Sequence, residues 1–271
     1  MSNFSKRLIF GIIYVLLLVI ATSTNIYIFY SLFFIFMLFS VYEFQKMSSF
    51  KSFTPYLFGI VLLISSLLEN TNNSAIAKIF LVIGLLSVFV SFITTLLDEK
   101  KVAVEYLGKI TLTIIYTVLP FLLIVELPLV TKNFNPKLVL GSFILIWSSD
   151  TFAYLVGRQF GKTKLFERIS PKKTIEGLLG GIFFTLISAY ILSIYFTNTS
   201  LTQWLIISVI ISIFGVIGDL VESMFKRQAN IKDSSNLIPG HGGFLDRLDS
   251  IIFAIPFIYA FEYLTTNLNL L

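Results

Sequence analysis

Cysteine is absent from this 271-residue chain. That excludes disulfides, thiolate metal sites and cysteine nucleophiles. Histidine occurs once, so a zinc site, which would need several histidine or cysteine ligands, is excluded too. Charge is scarce: Asp, Glu, Lys and Arg make up 13% of the residues, against about 25% in ordinary soluble domains. The alternating pattern of an outer-membrane barrel is missing, and so are internal repeats and low-complexity tails. What the chain has in abundance is apolar bulk. It is 56% hydrophobic and carries 29 phenylalanines, expected to face lipid or pack between helices.

Nine apolar runs are long enough to be read as membrane spans, at roughly 8–22, 25–43, 56–69, 76–97, 108–130, 138–157, 177–196, 202–222 and 249–266. Backbone polar groups in lipid must be satisfied within the segment, so each span is expected to be helical. The fold class is therefore all-α, a polytopic integral membrane protein. The first run, "KRLIFGIIYVLLLVIA", has the look of a signal peptide, but a second span follows at once and it reads as a retained helix. With the N-terminus cytoplasmic and the C-terminus outside, 17 of the 20 Lys and Arg residues fall on the inner side, as the positive-inside rule requires. Residues 1–135 (spans one to five) carry few ionisable groups and read as scaffold. Residues 136–271 (spans six to nine) read as the catalytic part, with cytoplasmic loops 158–176 and 223–248.

Span eight ends "SVIISIFGVIGDLVESMFKR". At 100° per residue, Ser208, Ser212, Gly215, Asp219, Glu222, Ser223 and Lys226 share one narrow face. A carboxylate in a membrane helix costs about 2.5–3.5 kcal/mol even on lenient scales and faces the protein interior or a wet cavity. Glu222 has a structural reading as the i,i+4 partner of Lys226. Asp219 has no basic residue one turn away and reads as functional.

Next comes "KRQANIKDSSNLIPGHGGFLDRLD" (226–249), with four basic residues, three aspartates and the single His241. Gly240, Gly242 and Gly243 allow close backbone approach to a ligand, and free N–H groups there can cradle phosphate oxygens. Lys226, Arg227, Lys232 and Arg247 can neutralise phosphates. Asp233, Asp246 and Asp249 are hard oxygen ligands suited to Mg²⁺. Salt bridges in a solvated loop would explain the charges, but not three glycines and a proline around a lone histidine.

Span six ends "WSSDTFAYLVGRQFGKTKL", where Asp150, Tyr154 and Gly157 share a face. Ser170 reads as a helix N-cap with Pro171 in the first turn, which would put Lys172 and Lys173 at an anion-binding N-terminus. "GRQFGKT" (157–163) is one residue short of a phosphate-binding P-loop and follows a membrane helix rather than a buried strand, so it is rejected as one.

Residues 223–249, "SMFKRQANIKDSSNLIPGHGGFLDRLD", resemble the signature of the phosphatidate cytidylyltransferases (CDP-diacylglycerol synthases) over their whole length. "SDTFAYLVGRQFGKTKL" and "SPKKTIEG" are similar to that family too. The resemblance is close from Trp147 to Asp249 and general, in length and hydropathy, over spans one to five. It implies transfer of a cytidylyl group from CTP to phosphatidate, with Mg²⁺ and room for a second cation. Asp219 and Asp246, then Asp249, are the expected metal ligands. Lys226, Arg227, His241, Asp246 and Arg247 form the expected catalytic group, with His241 ordering the loop or meeting a phosphate. Asp150, Lys172, Lys173, Ser223, Lys232, Gly242 and Gly243 are expected to bind substrate. The implied partners are CTP, phosphatidate, the bilayer and a second copy in a homodimer, with no nucleic acid. The implied location is the inner membrane, active site facing the cytoplasm. Two other classes use similar residues: a CTP-dependent polyprenol or dolichol kinase, and an ion-coupled transporter working through Asp150 and Asp219.

Overall fold

The computed structural model describes residues 3–68, 106–130, 134–238 and 242–268. Helices dominate. They are α1 (Asn3–Ser23), α2 (Ile26–Met47), α3 (Thr54–Leu68), α4 (Gly108–Leu129), α5 (Lys137–Phe160), α6 (Ile175–Tyr195), α7 (Leu201–Gln228) and α8 (Leu245–Leu268). Six of these, α2 and α4–α8, are long and apolar enough to cross a membrane, and α1 and α3 contain shorter apolar stretches. Eight of the nine expected spans thus fall on helices, and the span expected at 76–97 lies outside the described residues. The chain is a multi-pass membrane protein.

Helix starts follow local chemistry. Asn25 caps α2 by accepting the Ile28 N–H at 3.0 Å. Ser200 and Gln203 form a reciprocal capping box at α7. The core is aromatic: Phe29, Phe33, Phe44, Phe121, Phe143 and Trp204 are fully buried, and Phe214 stacks on Phe257 with ring centroids 3.5 Å apart. Those phenylalanines pack between helices rather than against lipid. Helix α6 does the opposite, leaving Leu179, Phe183, Ile194 and Tyr195 exposed along its outer side.

Three expectations are corrected. Ser170 does not cap a helix. Residues Ser170–Thr174 form a strand, β2, that pairs antiparallel with β1 (Lys164–Phe166), Lys164 opposite Thr174 and Phe166 opposite Ser170. Pro171 lacks an N–H but stands in a two-stranded hairpin, where an edge position tolerates it. Thr174 is the true cap of α6, accepting the Gly177 N–H at 3.1 Å, so Lys172 and Lys173 reach out from a strand. The protein is therefore not purely α-helical. Finally, α7 runs six residues past its expected end at 222 and α8 starts four before 249, because both helices continue as charged turns beyond their apolar stretches.

Candidate active site

Helices α5 and α6 pack at backbone contact along small residues. A Cβ on Gly177 would lie 2.7 Å from the Ala153 carbonyl and 3.2 Å from the Gly157 Cα. This pair, with the hairpin, α7 and the start of α8, walls a cavity of about 760 Å³. Four aspartates line it: Asp150 from α5, Asp219 from α7, and Asp246 and Asp249 from α8. Five basic side chains join them: Arg158, Lys164, Lys172, Lys173 and Arg247. Arg158, Lys164, Lys172 and Arg247 are exposed, whereas Asp219, Asp246 and Asp249 are half-buried. Tyr154, Leu178 and Val216 add apolar surface to the same walls.

Two lysines hold the carboxylates. Lys173 Nζ lies 2.6 Å from Asp219 Oδ2, and Ser223 donates to Asp219 Oδ1 at 3.2 Å. Lys226 Nζ donates to Asp246 Oδ1 at 2.6 Å and to Glu222 Oε2 at 2.5 Å. The structural reading of Glu222 therefore holds, and the pair is a triad: a buried lysine between two carboxylates. Asp246 Oδ2 accepts from the N–H groups of Ser234 (2.9 Å) and Gly243 (2.7 Å) and lies 2.9 Å from the Ser234 hydroxyl. Asp249 Oδ1 accepts the Ser250 N–H at 2.7 Å.

The glycines act as their positions demand. Gly242 has φ +83°, and a Cβ there would stand 2.5 Å from Asp246 Oδ2. A Cβ on Gly243 would meet the Ser234 hydroxyl and both oxygens of Glu43. Pro239, Gly240 and His241 lie outside the described residues. Arg227 and Lys232 do not line the cavity: both are exposed, and Arg227 donates to the Ile231 carbonyl at 3.3 Å. The near-P-loop is no phosphate cradle either. The N–H groups of Lys162 and Thr163 are taken by the Glu176 carboxylate at 3.0 and 3.1 Å.

Sequence reasoning missed Glu43. It belongs to α2, in the half read as scaffold, and is fully buried. Oε1 accepts from the Ser235 hydroxyl at 2.6 Å and the Phe244 N–H at 2.9 Å. Oε2 accepts the Leu245 N–H at 2.8 Å and lies 3.0 Å from the Ser234 hydroxyl. An acidic residue three positions before Lys46 looks like one half of a surface pair. The one usable signal was an acid inside an otherwise apolar helix.

The comparisons with known proteins place the chain in a family. The profile of the family described as "Cytidylyltransferase family" matches residues 5–265. The chain is 32% identical over 265 residues to a phosphatidate cytidylyltransferase of Bacillus subtilis (strain 168), covering 96% of this chain and 97% of that protein. It is 38% identical over 172 residues to a phosphatidate cytidylyltransferase of Staphylococcus aureus (strain COL), covering 63% of this chain and 64% of that one. It is 48% identical over 132 residues to one of Haemophilus influenzae (strain ATCC 51907 / DSM 11121 / KW20 / Rd), covering 46% of each chain. With nearly its whole length matched, and its acidic and basic residues gathered in one cavity, the chain belongs to the cytidylyltransferase family.

Proposed function

We propose that this cavity is where CTP and phosphatidate meet. The reaction transfers a cytidylyl group from CTP to phosphatidate and yields CDP-diacylglycerol and pyrophosphate. One observation carries the placement: four aspartates and five basic side chains, from three helices and a hairpin far apart in sequence, line a single cavity.

In this reading a phosphate-monoester oxygen of the lipid attacks the α-phosphorus of CTP. The new P–O bond forms as the bond to the β-phosphate bridging oxygen breaks, and pyrophosphate leaves. No protein nucleophile is required. Two multiply charged anions must be held in line, so positioning and charge neutralisation supply most of the rate. Arg158, Lys164, Lys172 and Arg247 do that at the walls. Lys173 and Lys226 hold Asp219 and Asp246 in place. Arg227 and Lys232, exposed nearby, draw the nucleotide toward the entrance.

Mg²⁺ fits the donor set. It binds through one or two carboxylates together with substrate phosphates rather than in an all-protein cage. Asp219, Asp246 and Asp249 line the cavity with hard oxygens of that kind, and among the described residues no three acidic groups are placed to hold an ion without substrate oxygens. The ion would neutralise triphosphate oxygens. A second cation belongs to the same proposal.

Tyr154 and Leu178 support a sideways opening that admits the lipid head while its chains stay in the bilayer. A photoreactive phosphatidate should label residues within 138–266, and labelling confined to the first four spans would sink that opening. Nine spans, a cytoplasmic N-terminus, an outside C-terminus and an inner-membrane location facing the cytoplasm complete the proposal, as does a homodimer. Crosslinking in native membranes should give a band of twice the monomer mass, and monomer alone would remove the dimer.

The deciding assay uses purified protein, phosphatidate, Mg²⁺ and CTP labelled in the cytosine ring and at the γ-phosphate. Ring label should enter the lipid fraction and be lost in Asp246→Asn or with EDTA. Only γ-label in the lipid would mean a lipid kinase.

A further inference from the structure

Glu43 is a buried carboxylate with no basic partner among the described residues, and no step above uses it. What it binds is distinctive. Two of its donors, the hydroxyls of Ser234 and Ser235, lie before Gly242 in the chain. The other two, the N–H groups of Phe244 and Leu245, lie after it. A single side chain from α2 therefore ties together both ends of the segment 234–245. Phe244 and Leu245 also stand at the start of α8, where N–H groups have no partner within the helix and the helix dipole favours an anion.

The tie reaches the reaction cavity through one hydroxyl. Ser234 Oγ lies 3.0 Å from Glu43 Oε2 and 2.9 Å from Asp246 Oδ2. Its one proton can serve only one of the two carboxylates at a time. Asp246 in turn bonds Lys226, and Lys226 bonds Glu222. A continuous chain of polar contacts thus runs from α2 to the cavity wall. Gly243 is required for it, because any side chain there would collide with both Glu43 oxygens.

We propose that Glu43 is a positioning residue for cytidylyl transfer: from the first half of the chain it clamps Ser234 and Ser235 to the start of α8, and so fixes where Asp246 and Arg247 stand. The inference rests on the reading of this cavity as the transfer site. It differs from a packing role because its effect should appear in turnover while the fold persists.

The test compares wild type with Glu43→Gln, Glu43→Asp and Ser235→Ala, purified in detergent. Steady-state kinetics, thermal unfolding and amide hydrogen exchange are measured on each. Gln keeps the shape but turns two donors toward groups that are themselves donors. Its kcat should fall about 100-fold with the KM for phosphatidate within about threefold, the scale expected when reacting groups are misplaced by an ångström or so. Exchange should quicken at Phe244 and Leu245 but not across α5 and α6. Asp should recover part of the lost kcat. Ser235→Ala removes one hydroxyl with little change in volume, and keeps the proposal testable should Glu43→Gln not fold. Its kcat should fall by about threefold to tenfold while melting drops by only a few degrees, since one lost charge-assisted hydrogen bond loosens the tie without unfolding the chain. Glu43→Gln at wild-type kcat would overturn the proposal, as would a loss of kcat matched by loosening throughout the molecule. An active Asp246→Asn would instead overturn the reading of the cavity itself.

Discussion

Lys173 and Lys226 each hold an aspartate at 2.6 Å, yet burial separates their roles. The Lys173–Asp219 side chains are 25% and 36% exposed, whereas Lys226 is 10% exposed between Glu222 at 0% and Asp246 at 7%. Removing one member of a buried ion pair costs about 3–5 kcal/mol, and a partly solvated pair is worth about 0–1 kcal/mol. Lys226→Met should therefore lower stability by about 3–5 kcal/mol in a detergent unfolding assay, since it strands two carboxylates. Lys173→Met should leave stability within about 1 kcal/mol while kcat/KM falls by about 100-fold, as when one aligned charge is lost from a transfer site. Equal melting of the two variants would contradict this division. At this scale the sequence was informative about identity and silent about partners. Asp150, Lys172, Lys173, Asp219, Asp246, Arg247 and Asp249 were all readable and all line one cavity. That Lys173 meets Asp219 across 46 positions was not readable, because no local spacing encodes it. Glu43 was missed for the same reason: its four partners lie about 190–200 residues away.

The elements were legible as spans and less so as surfaces. Hydropathy found eight of the described helices. The rule of 100° per residue, however, failed within α7. Residues Ile211–Gly215 form a π-helical turn, which absorbs an extra residue and breaks the constant step. The predicted polar face therefore does not run straight from Ser208 to Asp219. The Ser208 and Ser212 hydroxyls bond back to the carbonyls of Leu205 and Ser208 in their own helix. The hairpin was misread because a Ser-Pro pair before an apolar run looks like a helix start, and only its pairing with Lys164–Phe166 identifies it as a strand. Helices α5 and α6 carry a prediction of their own. Their backbones touch at Gly157 and Gly177, so Gly177→Leu must push α6 away and widen the cavity between them. Overpacking of this kind costs about 1–3 kcal/mol, and activity should fall further than stability does. A variant with normal turnover would show that this seam does not set the cavity's shape.

For the molecule as a whole, the missing cysteines become a practical advantage. Every introduced cysteine is the only one in the chain. With the N-terminus inside, Glu167→Cys in the hairpin turn should react with a membrane-impermeant maleimide only after cells are opened. Asn198→Cys, between α6 and α7, should react in intact cells. The reverse pattern would invert the topology. The reading of residues 1–135 as scaffold and 136–271 as catalytic part puts every cavity-lining residue in the second part. It hides the dependence of that cavity on α2, which only the three-dimensional contacts of Glu43 reveal.

That dependence also sets an order of events during synthesis. Glu43 is made 191 residues before Ser234. At about 5–20 residues per second, the interval is about 10–40 s. Through it the carboxylate has none of the four donors that hold it in the finished protein. It stands close to the end of α2, at position 43 of a helix that closes at Met47, so it can wait at the water interface at little cost. Only when the last loop is translated can α2 draw it inward. The nascent chain therefore assembles its reaction chamber last, and ribosome-stalled chains ending before Ser234 should be inserted in the membrane yet unable to turn over CTP.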